Sequence, residues 1–145
     1  MTEVDFHFNA ADKVNHTCRL VRKAVGSGAS VVVVADEAML SRLDATLWQF
    51  SAVEFIAHCR DSAAPDMLAR SPVVLAADGR ATLPHQHVLI NLGAAVPQGF
   101  ERFERLIEIV TEDDDDRQAG RARWRHYADR GYTLNRHDLR VEGAS

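Results

Sequence analysis

Ser-Val-Val-Val-Val-Ala, residues 30–35, is too uniformly apolar for a strand with one face in water. Such a run is typical of a central strand that is covered on both faces. In residues 11–25, and again in residues 37–49, apolar residues recur at the spacing of a helix with one buried face. Asp36 is placed to cap the second helix. With predicted strands before and after them, at residues 3–9 and 53–58, these elements follow the order strand–helix–strand–helix–strand, which predicts parallel strands joined by right-handed crossovers.

Five further stretches are predicted to be strands, because they are short and either alternate in polarity or are rich in β-branched residues. They are residues 3–9, 53–58, 73–77, 86–92 and 103–110. Residues 60–72 are polar, contain two prolines and are predicted to be an exposed connection. Together these elements predict an α/β fold: a three-layer Rossmann-like domain over residues 1–140 with a mostly parallel sheet. A flexible tail is expected over residues 141–145.

The last predicted helix, residues 113–130, carries the most unusual chemistry of the chain. Its acidic start suits a helix N-terminus, where an Asp side chain can cap free N–H groups, and Gly131 suits the left-handed position after the last turn. Residues 117–140 hold seven Arg and two Asp, a net charge of +5, whereas residues 1–116 hold ten Lys and Arg and eighteen Asp and Glu, a net charge of −8. A basic element on an acidic body is expected to recruit an anionic partner.

Helical spacing places Arg117, Arg121, Trp124 and Arg125 on one face of this helix. Guanidinium groups grip carboxylates or phosphates, and the indole beside them can take an apolar side chain or a base. The alternative interpretation is a solvated amphipathic helix with Trp124 and Tyr127 turned inward.

The overall composition limits the function classes. The chain has 145 residues and a net charge of −4, which argues against wholesale coating of nucleic acid. No apolar signal core or membrane-spanning run is present in the sequence, so a cytoplasmic protein without a membrane partner is expected. Two cysteines form neither a disulfide framework nor a zinc ribbon.

Catalytic and cofactor motifs find no support in the sequence. The first strand–helix turn lacks glycine, and no P-loop is present, so nucleotide chemistry is not expected. His85 and His87 have no third ligand at the usual spacing and are interpreted as solvated loop residues. We therefore predict no catalytic residue, no cofactor and no metal. Trp48 and Phe55 are interpreted as core aromatics, with an exposed anchor for a partner protein as the alternative.

Several motifs together resemble the chi subunit of bacterial DNA polymerase III, a small accessory protein of the clamp-loader complex. They are Phe6-x-Phe8 in the first strand, Arg-Leu-Asp-Ala-Thr-Leu-Trp at residues 42–48, Phe-Ile-Ala-His at residues 55–58, Val-Leu-Ile-Asn-Leu at residues 88–92, and Arg-x-Arg-Trp-Arg-His-Tyr-x-x-x-Gly-Tyr-x-Leu-Asn at residues 121–135. The resemblance covers nearly the whole chain. It implies a Rossmann-like domain without nucleotide chemistry.

The resemblance also implies a tethering function in DNA replication. Such proteins bind the acidic, phenylalanine-ended C-terminal tail of single-stranded-DNA-binding protein, and contact with nucleic acid is mainly indirect. The positions that carry over to the tail pocket are Val110, Arg117, Arg121, Trp124 and Arg125. A second partner is expected to be psi, or another clamp-loader or helicase protein, bound around Trp48 and Phe55.

Two competing functions are weighed beside this one. Direct binding of single-stranded nucleic acid would use the same Arg and Trp face. An enzyme on a Rossmann-like scaffold would need chemistry that the motifs do not indicate. A further hypothesis is that the acidic residues 113–116 compete with a ligand for the nearby arginines.

Overall fold

The computed structural model describes residues 2–50, 56–79 and 83–142, which form an α/β domain around a seven-stranded sheet. The strands are β1 (Glu3–Ala10), β2 (Val31–Val34), β3 (His58–Arg60), β4 (Val73–Ala76), β5 (Val88–Asn91), β6 (Arg105–Thr111) and β7 (Leu134–Asp138). The helices are α1 (Lys13–Gly26), α2 (Glu37–Phe50), α3 (Pro65–Arg70), α4 (Asp114–Asp129) and α5 (Leu139–Glu142), with a 3-10 helix at Phe100–Arg102. In the described ranges no helix is long and apolar enough to cross a membrane.

Strand β2 lies in the middle of the sheet, whose order is β3-β4-β2-β5-β6-β1-β7. All four of its valines are buried. Val31 and Val33 point into one core cluster, and Val32 and Val34 point into the other. Every strand pairing is parallel, so the predicted α/β class is confirmed, and the sheet is wholly rather than mostly parallel.

The helices cover opposite faces of this sheet. The apolar faces of α1 and α2 pack into the cluster that contains Val33, and Cys18 is a fully buried core residue there. Leu68 of α3 and Tyr127 of α4 belong to the cluster on the other face. The cap predicted for α2 is confirmed, because the backbone N–H of Met39 donates to the carboxylate of Asp36 over 2.8 Å.

Three parts of the architecture differ from the prediction. Residues 60–72 are not only a connection, because α3 lies inside them, with proline at its first turn and Leu68 buried. Strand β7 and helix α5 follow α4, where no element was predicted. The predicted strand over residues 53–58 is observed as β3 from His58, while residues 51–55, including Phe55, lie outside the described residues.

The chain end is described as far as Glu142. Helix α5 ends there, and residues 143–145 lie outside the described residues. A single domain over residues 1–140 with a tail over residues 141–145 stays a prediction.

The strand predicted over residues 103–110 is confirmed as β6. Strand β1 lies between β6 and β7, and α4 continues directly from β6. The carboxyl ends of β1 and β6 therefore meet beside the first turns of α4. In parallel α/β sheets this edge is where ligands bind.

A candidate anion-binding groove

Helix α4 begins at Asp114, but its cap differs from the prediction. Asp113 precedes the helix and makes no side-chain capping hydrogen bond. Asp116 instead accepts from the backbone N–H of Thr111 over 2.7 Å and from the Lys13 ammonium over 2.8 Å. Burial alone would raise the pKa of Asp116, yet the hydrogen bonds from Lys13 and Thr111 outweigh burial and lower it. Asp116 is thus engaged by a lysine rather than competing for an arginine of the groove.

Gly120 brings α4 into direct contact with β6. A Cβ atom built on Gly120 would lie 2.9 Å from Cγ2 of Val110 and 3.1 Å from its Cγ1. Only glycine permits this approach without a shift of one element. At the other end of the helix, Gly131 has φ 79°, the left-handed conformation predicted for it.

A groove of about 480 Å³ opens beside this contact. It has a floor from β1 and β6, one wall from α4 and a second wall from β7 and α5. The floor residues are Phe6, Phe8, Asn9, Val110 and Thr111; the α4 residues are Arg117, Gly120, Arg121 and Trp124; the second wall consists of Arg136 and Arg140. Four of the five predicted pocket residues, Val110, Arg117, Arg121 and Trp124, are therefore brought together.

Trp124 is half-buried and keeps part of its ring on the groove. Its indole packs edge-on against Phe6 with ring centroids 5.1 Å apart. Tyr127, one turn further along α4, is fully buried. The inward-facing alternative is correct for Tyr127 but not for Trp124, which remains accessible to a ligand.

Three arginines of α4 reach into water. Arg117, Arg121 and Arg125 are exposed, and within the described residues none of their guanidinium groups makes a hydrogen bond or ion pair. Arg117 and Arg121 line the groove, whereas Arg125 does not. The two groove arginines are available to an anion, and Arg125 is an exposed neighbour on the same helix.

Arg123 belongs to the core, in contrast to those three. Its Nε donates to Glu108 over 2.9 Å, and Nη1 donates to the carbonyl oxygen of Ala94 over 3.0 Å. The Tyr127 hydroxyl donates to the other Glu108 oxygen over 2.5 Å, and Asn91 donates to the same carboxylate. Burial raises the pKa of Glu108, and Arg123 opposes that increase. This network fixes the orientation of α4 about its own axis, so that Arg117 and Arg121 face the groove.

The groove contains residues that sequence reasoning did not assign to it. Phe6 and Phe8 were assigned only to the first strand, and Asn9 was not singled out. Asn9 has φ 63° at the end of β1, and its amide donates to Asp138 over 2.9 Å. Arg136 and Arg140 contributed to the basic charge count, but their place at the groove depends on β7 and α5, which were not predicted.

Trp48 is far from the groove and is not a core residue. It is 56% exposed, so the core interpretation is wrong for this side chain. Its ring centroid lies 5.0 Å from that of His58, whose Nε2 is hydrogen-bonded to Asp44 over 2.8 Å. Because His58 is in β3, this aromatic surface lies at the sheet edge opposite β7.

The two histidines considered as metal ligands have different surroundings. His85 is buried, and its Nε2 donates to the carbonyl oxygen of Ser71 over 2.6 Å, so the solvated interpretation is wrong for it. The ring of His87 is about half-exposed and is hydrogen-bonded through Nδ1 to Ser30. Across residues 2–50, 56–79 and 83–142, no three potential metal-ligating side chains are grouped to hold an ion.

Comparison with known proteins gives one consistent family. The family model described as "DNA polymerase III chi subunit, HolC" matches residues 1–135. The protein named DNA polymerase III subunit chi in Pseudomonas aeruginosa is 39% identical over 144 residues, which is 96% of this chain and 98% of that protein. Proteins of the same name in Haemophilus influenzae and Escherichia coli are 27% and 26% identical over 119 residues, which is 81% of this chain and 81% and 80% of those proteins.

Proposed function

This chain belongs to the DNA polymerase III chi subunit family, and we propose that it serves the replicase as a non-catalytic tether between the clamp loader and single-stranded-DNA-binding protein. The groove between α4 and β7 binds the acidic, phenylalanine-ended C-terminal tail of that protein. The observation that carries the proposal is a half-buried indole beside two exposed arginines, Arg117 and Arg121, that have no partner within the described residues.

The chemistry of such a tail complements the groove. Its carboxylates match Arg117 and Arg121, while its ring matches the apolar surface of Val110 and Trp124. Each exposed ion pair contributes ~0–1 kcal/mol and is screened by salt. Burial of the ring contributes on the order of 2 kcal/mol. Binding of one tail is therefore modest, and several tails on coated DNA strengthen retention through avidity.

The first prediction separates Arg121 from Arg125. Titration of a labelled tail peptide, followed by fluorescence anisotropy, should show that Arg121→Ala weakens binding about fivefold, because one groove ion pair is lost. Arg125→Ala is the matched control, since it removes the same charge from the same helix outside the groove. We expect a much smaller loss for this variant.

The same titration compares peptides with and without the terminal phenylalanine. Omission of the ring should remove most of the binding to the wild-type chain. Equal losses in Arg121→Ala and Arg125→Ala would contradict a groove-specific contact. Preference for an oligonucleotide over both peptides would replace the tether with direct nucleic-acid binding.

A tether needs a second attachment point, and the surface around Trp48 suits this role. The indole is exposed on α2, which covers the face of the sheet opposite α4. Large aromatic side chains that remain exposed are frequent anchors of protein interfaces. We assign this surface to psi, or to another clamp-loader or helicase protein. One partner there and one tail in the groove would not compete for the same surface.

The second prediction concerns this surface. Trp48→Ala should weaken co-elution with the reconstituted clamp-loader complex by about tenfold or more, because an interface anchor is lost. Met67→Ala is the control, since Met67 is 53% exposed on α3. Both variants should bind the tail peptide normally. Unchanged co-elution of Trp48→Ala would exclude this surface as the attachment point.

A further inference from the structure

Two arginines of the groove come from the segment that follows the family match. The family model ends at residue 135, yet Arg136 and Arg140 line the groove opposite α4. Strand β7 holds Arg136 in place by pairing parallel with β1, where Arg136 lies in register with Phe6. The second wall is thus built onto the same strand that supplies the aromatic floor.

Arg136 is held over aromatic rings. Its guanidinium carbon lies 5.1 Å from the ring centroid of Phe8 and 5.9 Å from that of Trp124. A guanidinium that lies over aromatic rings does not use its N–H groups in that contact, so they can still donate to an anion. Asp138 acts electrostatically on Arg136, but its carboxylate already accepts hydrogen bonds from Asn9 and from the backbone N–H of Arg140. Arg136 therefore presents a positioned fork to the groove.

Arg140 has an internal partner. Its guanidinium group forms an ion pair with the carboxylate of Glu112, between the end of β6 and the start of α4. The pair is open to water, with 64% of the Arg140 side chain and 46% of the Glu112 side chain exposed. Exposed pairs of this kind are weak, so a second carboxylate can exchange with the first at little cost.

The groove has enough positive charge for more than one anionic group of a ligand. Four arginines line it, and no aspartate or glutamate is among the described lining residues. The α4 arginines line the groove together with Val110 and Trp124, so a terminal residue can place its ring against the apolar pair and offer its carboxylate to the arginines. A single terminal carboxylate would leave Arg136 and Arg140 without a ligand anion.

We propose that Arg136 and Arg140 form a second anion subsite, which takes the side-chain carboxylate of an acidic residue preceding the aromatic terminus of the peptide. The incoming carboxylate displaces Glu112 from Arg140. This inference rests on the proposed function and adds to it the residues that recognise the acidic part of the peptide: Arg136 and Arg140 hold its side-chain carboxylate, and Glu112 occupies part of the subsite when no ligand is bound.

The test measures the binding of two peptides to the wild-type chain and to two variants of the full chain. Both peptides end in phenylalanine with a free carboxylate; one carries aspartates before it, and the other carries asparagines in their place. Isothermal titration should show that Arg136→Gln/Arg140→Gln weakens binding of the aspartate peptide by about tenfold. Binding of the asparagine peptide should change less than twofold.

A second variant, Glu112→Gln, should change the affinity for the aspartate peptide in the opposite direction. It frees Arg140, so the aspartate peptide should bind about two- to threefold more tightly, with no gain for the asparagine peptide. Equal losses for both peptides in the double variant, or no gain in Glu112→Gln, would overturn the second subsite while leaving the tether intact. Failure of the wild-type chain to bind either peptide would overturn both proposals.

Discussion

Replacement of Arg123 by methionine should lower the free energy of unfolding by about 3–5 kcal/mol, because it leaves the carboxylate of Glu108 buried without its counter-charge. Arg123 and Glu108 are 2% and 0% exposed, so water cannot replace the lost guanidinium. Tyr127 and Asn91 still donate hydrogen bonds to the carboxylate, but neither carries a charge. Urea unfolding of the variant and the wild-type chain measures the difference.

The controls separate the buried charge from the change of side chain. Arg125→Met makes the same substitution at an exposed position of α4 and should change the free energy of unfolding by no more than about 0.5 kcal/mol. Glu108→Gln/Arg123→Met removes both charges and should recover part of the loss. A loss in Arg123→Met no larger than in Arg125→Met would show that the pair does not stabilise the fold.

This loss should also depend on pH. Without Arg123, nothing charged opposes the increase that burial causes in the pKa of Glu108. Folding then takes up a proton, so the free energy of unfolding falls as pH rises from the ordinary glutamate pKa, about 4.3, towards the raised value in the folded state. The variant should therefore be weakened more at pH 8 than at pH 5, relative to the wild-type chain at each pH.

Phe6→Ala should lower the free energy of unfolding by about 3–5 kcal/mol and weaken tail binding at the same time. Phe6 is 4% exposed, and its ring packs against both Trp124 and Tyr127, with centroids 5.1 and 6.0 Å away. Truncation leaves a cavity beneath the indole, so Trp124 can sink into the space and close the ring slot. Urea unfolding and peptide titration measure the two effects.

Phe8→Ala is the matched control, because Phe8 is on the same strand and lines the same groove but is only half-buried. Its loss of stability should be about 1–2 kcal/mol, in proportion to the smaller area it removes from water. Phe6→Leu, which fills most of the space, should cost less than about 1.5 kcal/mol. If Phe6→Ala and Phe8→Ala were equally destabilising, the floor would not support the indole as described.

The sequence predicted the centre of the fold better than its edges. The valines of β2 and the apolar faces of α1 and α2 could be predicted because each hydrophobic pattern lies within one strand or one helix. Strand β7, Leu-Asn-Arg-His-Asp, has one apolar residue in five and lies at the sheet edge. Its pairing with β1 joins residues more than 100 positions apart, and a pattern within one short segment does not predict such a pairing.

The groove was likewise predicted on helix α4 and at Val110 of β6, but its residues on β1, β7 and α5 were missed. Helical spacing placed Arg117, Arg121 and Trp124 together, but it could not show that Arg125 falls outside the cavity. Arg136 and Arg140 reach the groove only because β7 pairs with β1.

The sequence also contains a signal for the buried position of Arg123. Glu108 interrupts the apolar run of β6, and a charge at the centre of a buried strand requires a buried partner. Arg123 lies on the side of α4 that also carries Gly120 and Tyr127, both buried, so that side faces the core. The same argument separates Arg123 from the arginines that reach solvent.

Gly120 and Val110 restrict each other over evolutionary time. A methyl group at position 120 requires either a shift between α4 and β6 or a smaller side chain at position 110, and a smaller side chain at position 110 alone removes part of the groove floor. Either substitution by itself is a disadvantage, so the two positions are expected to change as a pair in descendants of this sequence. Lineages that keep one ancestral residue should keep the other.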